Sequence, residues 1–123
     1  MPNAQRQEAT FARIHKLLAT RSVFTDADLS AATAAKTLGL SAAQFGQAIK
    51  SATGSNYARL IAAIRVRAAC EMLRSDRYDD CTAEQIGLAV GFRSRQAFYQ
   101  AFHRVTAMTP CDFRLISSRQ THP

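Results

Sequence analysis

The chain has 123 residues, enough for one domain or two very small ones, and its 47% hydrophobic content is ordinary for a folded globular protein. Its 16 lysines and arginines outnumber 9 aspartates and glutamates, and the resulting charge of +7 favours a polyanionic partner. No apolar run reaches the ~18–20 residues that span a bilayer, and no signal-peptide pattern is present, so we expect a cytoplasmic protein.

The cysteines and histidines are scattered along the chain, as Cys70, Cys81 and Cys111 and as His15, His103 and His122. They form no Cys-x-x-Cys pattern and lie far apart, so the sequence supports neither a disulfide framework nor a cysteine-rich zinc site. We therefore expect structural thiols, no cofactor, no metal and no enzymatic activity.

The first half of the chain contains three predicted helices. Apolar residues recur at helical spacing between residues 8 and 21, which indicates an amphipathic first helix. Ser30 begins an alanine-rich helix, and Gly39 supplies the turn that ends it. Ser41 begins the third helix, and Gly54 ends it.

A helix of roughly seventeen residues, between residues 57 and 73, is the longest predicted element. The polar segment 75–80 after it suits an exposed loop. Thr82 with Gln85 three residues later matches a capping box, so a further helix begins there.

Gly91 makes the next turn, Ser94 caps the helix after it, and Thr109 with Pro110 starts a short terminal helix. The prediction is an all-α fold with about seven helices, in which two homeodomain-like helix-turn-helix subdomains are joined by a long linker helix. The predicted boundaries are 1–25 for the N-terminal helix and lead-in, 26–56 for the first helix-turn-helix, 57–75 for the linker helix, 76–116 for the second helix-turn-helix with its terminal helix, and 117–123 for a flexible tail.

The two halves repeat each other about fifty residues apart. At an offset of 52, Ser30, Ala34, Leu38 and Gly39 pair with Thr82, Ile86, Val90 and Gly91. After one inserted residue the offset is 53, and Ser41, Phe45, Ile49, Thr53 and Gly54 pair with Ser94, Phe98, Phe102, Thr106 and Ala107. Each copy has the order of a helix-turn-helix, and two copies in a basic chain point to DNA.

Several short motifs follow one another along the chain: Leu38-Gly39-Leu40-Ser41, Thr53-Gly54, Arg65 with Ala69, Met72-Leu73, Ile86, Val90-Gly91-Phe92, Phe98, Phe102, Met108-Thr109-Pro110 and Phe113-Arg114. Over roughly residues 25 to 115 the chain resembles the DNA-binding domain of the AraC/XylS family of bacterial transcription regulators. The resemblance implies two recognition helices that enter successive major grooves, ~34 Å apart. It also implies a sequence-specific regulator, more often an activator, that contacts RNA polymerase.

Three positions depart from the family's usual residues. Ala107 stands where glycine is usual, Gly87 where alanine is usual, and Ala83 where a branched apolar residue is common. We expect slightly weaker packing or capping there and an unchanged fold. Gly46, inside the first recognition helix, costs about 1 kcal/mol relative to alanine, and either close backbone approach or tolerated strain explains it.

Candidate base-reading residues lie near the start of the second helix of each copy, where arginine pairs with guanine and glutamine with adenine. They are Arg95, Gln96, Tyr99 and Gln100 in the second copy and Gln44, Gln47 and Ala43 in the first. The alternative for each is a solvated helix face. Because the first copy carries mainly small side chains there, we expect its half-site to be read less stringently.

Candidate phosphate contacts come from helix N-termini and flanking basic residues, since free N–H groups and the helix dipole favour anions. They are Ser30, Thr82, Arg93, Ser94, Arg104, Arg65, Arg67 and Lys50. For Arg65 a buried structural role, tying the two halves together, is an equal alternative.

Two other functions compete with regulation. A DNA-repair protein built on this domain type needs a clustered thiolate site, which the separated cysteines do not provide. A protein-interaction module on the same scaffold predicts no salt-dependent affinity for DNA. We expect a monomer whose partner is double-stranded DNA and, for an activator, also RNA polymerase.

Overall fold

The computed structural model describes residues 3–121 and, among these, the side chains of residues 3–117. In this part of the chain every regular element is a helix, so the all-α prediction is confirmed. The α-helices are α1 (Asn3–Leu18), α2 (Arg21–Phe24), α3 (Ala31–Thr37), α4 (Ala42–Thr53), α5 (Tyr57–Arg74), α6 (Ala83–Ala89), α7 (Arg95–Thr106) and α8 (Pro110–Thr121).

The chain divides into two compact units, one that ends at Ile64 and one that begins at Arg65. The first unit contains α1 to α4 and the start of α5, and the second contains the rest of α5 and α6 to α8. Each unit therefore holds one copy of the duplicated sequence.

In the first unit α1 packs against α4, and α3 contacts both helices. Apolar side chains at helical spacing meet there because each helix turns one face inward. The buried residues are Ile14, Leu18, Phe24, Ala34, Ala35, Phe45, Ala48 and Ile49. The Phe45 ring also lies 5.9 Å from the ring of Tyr57, which ties the start of α5 to α4.

A row of aromatic rings forms the centre of the second unit. The ring centroids are 5.4 Å apart for Phe92 and Phe98, 5.6 Å for Phe98 and Phe102, and 5.5 Å for Phe102 and Phe113. Such tilted and edge-to-face pairs add stabilisation beyond their buried area. The row joins the turn after α6, helix α7 and helix α8.

Gly87 of α6 packs directly against the Phe98 side chain of α7. A Cβ atom at Gly87 would lie 2.5 Å from Cγ of Phe98 and 3.0 Å from its Cβ, well inside van der Waals contact. The expectation that glycine weakens packing here is wrong, because the Phe98 ring fills the space that an alanine methyl group would need.

The turns of the two copies have equivalent geometry. Gly39 and Gly91 both have positive φ, at 70° and 111°, a conformation that favours glycine because it has no Cβ. The equivalent hydrogen bonds run from Leu40 N to Ala35 O (2.9 Å) and from Phe92 N to Gly87 O (3.1 Å). The duplication read from the sequence therefore extends to the backbone of the helix-turn-helix.

The C-terminal caps of α4 and α7 are equivalent as well. Gly54 has φ 72° and donates its N–H to Lys50 O at 2.8 Å. Ala107 has φ 61° and donates to His103 O at the same distance. Alanine thus adopts a left-handed conformation that costs roughly 1–2 kcal/mol for a residue with a Cβ atom.

Helix α8 begins as the sequence predicts and holds the loop before α6. Thr109 Oγ1 accepts a hydrogen bond from the N–H of Asp112 (3.1 Å), which caps the helix. From α8, Arg114 donates to the backbone carbonyl oxygens of Cys81 (2.7 Å) and Tyr78 (3.0 Å). Arg114 is therefore a tether between α8 and the loop before α6.

The ends of several elements differ from the prediction. Helix α1 spans Asn3–Leu18 instead of 8–21, since no helix breaker lies in its polar first turns, and Thr20 is extended and precedes the short α2. Part of the predicted loop 75–80 is a 3₁₀ turn, Asp76–Tyr78. The predicted tail is helical as far as Thr121, because no proline or glycine interrupts it; residues 122 and 123 lie outside the described part.

Candidate nucleic-acid interface

Helix α7 presents most of the predicted base-reading side chains on its surface. Arg95, Gln96 and Gln100 are exposed and Tyr99 is half-buried, while Phe98 belongs to the core. This division follows from helical spacing, which turns the Phe98 side inward. The structure thus brings the four predicted readers together on the accessible side of one helix.

Two of these side chains are joined to a residue of α6. Nε of Arg95 donates to Oε1 of Glu84 at 2.9 Å, and the Tyr99 hydroxyl donates to the same oxygen at 3.1 Å. The guanidinium carbon of Arg95 lies 4.6 Å from the centroid of the Tyr99 ring, within range of a cation–π contact. Arg95, Tyr99 and Glu84 form a cluster, called here the Arg95 cluster.

Ionisation in this cluster follows the contacts. The pKa of Glu84 lies below its usual value because its own backbone N–H, and then Arg95 and Tyr99, hydrogen-bond the carboxylate. Partial burial, and next the contact with Cys111, raises the pKa of Tyr99. At neutral pH the cluster therefore consists of a carboxylate, a guanidinium ion and an un-ionised phenol.

The N-terminus of α4 is closed by one of the predicted readers. The backbone N–H of Ser41 donates to Oε1 of Gln44 at 2.9 Å, and Ser41 Oγ accepts from Gln44 N at 3.1 Å, which completes a capping box. A bidentate contact to adenine needs both the oxygen and the nitrogen of the amide. While this cap is kept, Gln44 cannot make that contact, and Gln47 is the remaining candidate on α4 for a strong base contact.

The N-terminus of α7 is built differently. Ser94 Oγ accepts from the N–H of Ala97 at 3.1 Å, but the alanine has no polar group to bond Ser94 N in return. A helix start of this kind, with N–H groups aimed outward, suits an anion. This geometry agrees with the prediction of a phosphate contact at Ser94.

Gly46 lies on the accessible side of α4 with open space around it. No heavy atom of the protein lies within 4 Å of the position that a Cβ would take. Packing inside the protein therefore does not require glycine here, and of the two explanations the structure favours space for an approaching partner.

A polar cleft lies beside α4 in the first unit. It has a volume of about 180 Å³ and is lined by Arg6, Gln7, Thr10, Leu40, Gln44 and Gln47. Helix α1 thus brings a cation next to the two predicted glutamine readers. The sequence did not reveal this, because Arg6 lies 38 residues before Gln44 along the chain.

Two predicted phosphate contacts are engaged in helix capping. Ser30 N donates to Thr33 Oγ1 at 3.0 Å, and Thr82 N donates to Gln85 Oε1 at 2.8 Å. A phosphate at either helix start would have to bond the N–H groups of later residues. Both contacts stay predictions, with fewer available donors than the sequence suggested.

The structure favours a buried position for Arg65 over a phosphate contact, the two alternatives that the sequence left open. Its side chain is 8% exposed and its guanidinium carbon lies 5.9 Å from the centroid of the Phe92 ring. A buried guanidinium cannot reach a phosphate on the surface. The other predicted phosphate-binding side chains are exposed, namely Arg93, Ser94, Arg104, Arg67 and Lys50.

The described residues contain no cluster suited to thiol or metal chemistry. Cys70 is buried, Cys81 half-buried and Cys111 exposed, and none forms a disulfide. Burial raises the pKa of the Cys70 thiol. No three His, Cys, Asp or Glu side chains between residues 3 and 121 gather as metal ligands, and no helix there is long and apolar enough to cross a bilayer.

Comparison with known proteins agrees with this geometry. Residues 34–115, more than half of the chain, match the family model described as "Helix-turn-helix domain". The chain therefore belongs to this family of helix-turn-helix domains. More narrowly, it is an AraC/XylS-type domain, a DNA-binding domain of transcription regulators. No curated protein matches the chain.

Solved structures share the fold at low sequence identity. The C-terminal domain of AraT, a response regulator from Geobacillus stearothermophilus, is 23% identical, with a TM-score of 0.68 over 94% of this chain and 86% of that one. An AraC-type transcriptional regulator from Chromobacterium violaceum is 22% identical, with 0.72 over 94% and 98%. A DNA-binding transcriptional dual regulator from Escherichia coli K-12 is 18% identical, with 0.66 over 97% and 96%.

Proposed function

We propose that the chain binds double-stranded DNA sequence-specifically, with the starts of α4 and α7 in successive major grooves. The observation that supports this best is the repeated helix-turn-helix, in which a glycine turn and a capped helix place exposed polar side chains at the helix start in both copies. The charge of +7 supplies attraction to phosphates of any sequence. Base contacts then select the site.

The two copies contribute unequally to this selection. In the second copy Arg95, Gln96 and Gln100 contact base edges, with Tyr99 beside them. In the first copy Gln47 is the main reader, and Ala43 and Gly46 allow close approach of the helix. The cations and helix start that bind phosphate are Arg93, Ser94, Arg104, Arg67, Lys50 and, from α1, Arg6.

The regulatory role is that of an activator in the bacterial cytoplasm. An activator works by contacting RNA polymerase while bound to its operator, and we propose that the DNA-bound chain does so as a monomer. Two reading helices on one chain give a bipartite operator without the dimerisation that single helix-turn-helix proteins need.

The direct test is a titration with duplex DNA at several salt concentrations, using duplexes selected from a randomised pool. Contact with about six phosphates gives a log–log slope near −5. Absence of binding at low salt would refute the proposal and favour a protein-interaction module.

The reading role of Arg95 has its own test. Arg95→Ala should relax the preference at one or two base pairs of the second half-site by about 1–3 kcal/mol. Arg77→Ala, which removes an exposed cation of the same unit outside α7, is the matched control and should leave base preference unchanged. A uniform loss of affinity over all sequences in R95A would make Arg95 a phosphate contact.

A further inference from the structure

The Arg95 cluster contains an acidic side chain where a DNA-binding surface would be expected to avoid one. Glu84 lies in the first turn of α6, and its side chain is 41% exposed while the Arg95 side chain is 67% exposed. An ion pair this exposed contributes little to folding stability, because water screens it. Folding stability alone is therefore a weak explanation for the ion pair between Glu84 and Arg95.

The hydrogen bonds of the cluster leave the outer edge of the guanidinium group for other partners. Arg95 uses Nε toward Glu84, and its two terminal amino groups carry four further N–H donors. Guanine presents two acceptors, O6 and N7, in the major groove, and a guanidinium binds them with two parallel hydrogen bonds. Glu84 on one edge and Tyr99 beneath the plane restrict the rotation that would misplace those donors.

We propose that Glu84 is a positioning residue that orders Arg95 for reading a guanine, and that it does so at a cost in affinity for DNA of any sequence. The proposal rests on the proposed function of Arg95 as a base reader. An ordered side chain loses less freedom on binding, and the cost it avoids corresponds to about three- to tenfold in affinity. The negative charge, in contrast, repels phosphates wherever the protein lands.

The duplication supports the pairing of these two residues. At the offsets that align the copies, Glu84 corresponds to Ala32 and Arg95 corresponds to Ala42. The first copy thus lacks the carboxylate and the arginine together, whereas the second copy has both. A carboxylate that served α6 alone would have no reason to occur only where the arginine occurs.

The test compares the wild type with Glu84→Ala and Glu84→Gln on three duplexes. These are the selected operator, the operator changed at the base pair that R95A ceases to discriminate, and an unrelated sequence. Glu84→Ala should lower discrimination at that base pair about three- to tenfold and bind the unrelated duplex at least as tightly as the wild type. Glu84→Gln keeps an acceptor oxygen for Arg95 and Tyr99, so it should retain most of the discrimination while sharing the gain on unrelated DNA.

Other outcomes separate this inference from the proposed function. If E84A keeps the discrimination of the wild type, or loses affinity equally for all three duplexes, Glu84 does not position Arg95. Equal loss of discrimination in E84A and E84Q, with unchanged helix content by circular dichroism, would also overturn it, since the amide retains the hydrogen bonds. A wild type that binds every duplex alike would refute the proposed function itself and the inference with it.

Discussion

Gly87→Ala and Gly46→Ala apply the same chemical change to two helices with opposite surroundings. Both glycines lie inside helices, where alanine is favoured by roughly 1 kcal/mol. At Gly46 the new methyl group meets open space, whereas at Gly87 it meets the Phe98 ring. We therefore expect G46A to stabilise the protein and G87A to destabilise it.

The size of the destabilisation by G87A follows from the distances between the new methyl group and the Phe98 side chain. A Cβ at Gly87 lies 2.5 Å from Cγ and 3.0 Å from Cβ of Phe98, atoms near the backbone that a rotation of the ring does not move away. Overpacking of a core costs about 1–3 kcal/mol of unfolding free energy. The cost of G87A should lie in the upper part of this range, because Phe92 and Phe102 hold the Phe98 ring on other sides. Because the better helix propensity of alanine offsets part of this cost, G87A should lower the unfolding free energy by about 2 kcal/mol, or the melting temperature by roughly 10 °C.

Urea unfolding followed by circular dichroism measures both variants, with Phe98→Ala added to G87A as a double-mutant cycle. Alanine has no Cγ, the atom that lies 2.5 Å from the new methyl group, so the cost of G87A should fall by about 1 kcal/mol or more in that background. If G87A is as stable as the wild type, or if its cost is the same in the Phe98→Ala background, steric conflict with Phe98 is not the reason for glycine at this position.

Three further predictions concern caps, charge and pH. Ala107→Gly should stabilise the protein by about 1 kcal/mol and Gly54→Ala should destabilise it by a similar amount, because both positions are left-handed; equal signs in thermal unfolding would contradict this. Arg6→Gln should weaken DNA binding and reduce by about 1 the magnitude of the slope of log affinity against log salt concentration. Lys16→Gln removes the same charge from α1 away from the cleft and should change neither quantity. Equal slopes for the two variants would show that the cleft side of α1 does not contact DNA. Because the pKa of Glu84 is lowered in the folded protein, the carboxylate contributes to stability above the usual glutamate pKa, and this contribution is lost as the pH falls through the lower folded value. The difference in unfolding free energy between wild type and E84Q should therefore shrink only on the acid side. An unchanged difference at low pH would show that the carboxylate interactions do not matter for folding.

The fold could be predicted from the sequence because local signals and the duplication agree. Ser30, Ser41, Thr82 and Ser94 each precede a run of helical periodicity, and each caps a helix in the structure. Short-range chemistry decides such features, since a hydroxyl bonds an N–H only three residues away. The repeat then showed which elements were equivalent.

The parts of the site that the sequence did not reveal depend on side chains distant along the chain. The pairing of Glu84 with Arg95 spans 11 residues and requires the actual crossing of α6 and α7. Gln44 is a different case, since its spacing from Ser41 is the same capping-box signal that identifies Gln85 after Thr82. That signal competes with base reading for one side chain, and only the geometry shows that the cap is formed.

The Arg114 tether makes the loop before α6 dependent on α8, a helix that is synthesised after it. Its two hydrogen bonds join residues 33 and 36 positions apart, so Tyr78 and Cys81 receive their partner only after α8 has left the ribosome. The first unit ends at Ile64 and can close while synthesis continues. A nascent chain therefore completes α4 before α7, and the segment that leads into α6 receives the Arg114 hydrogen bonds only after α8 has been made.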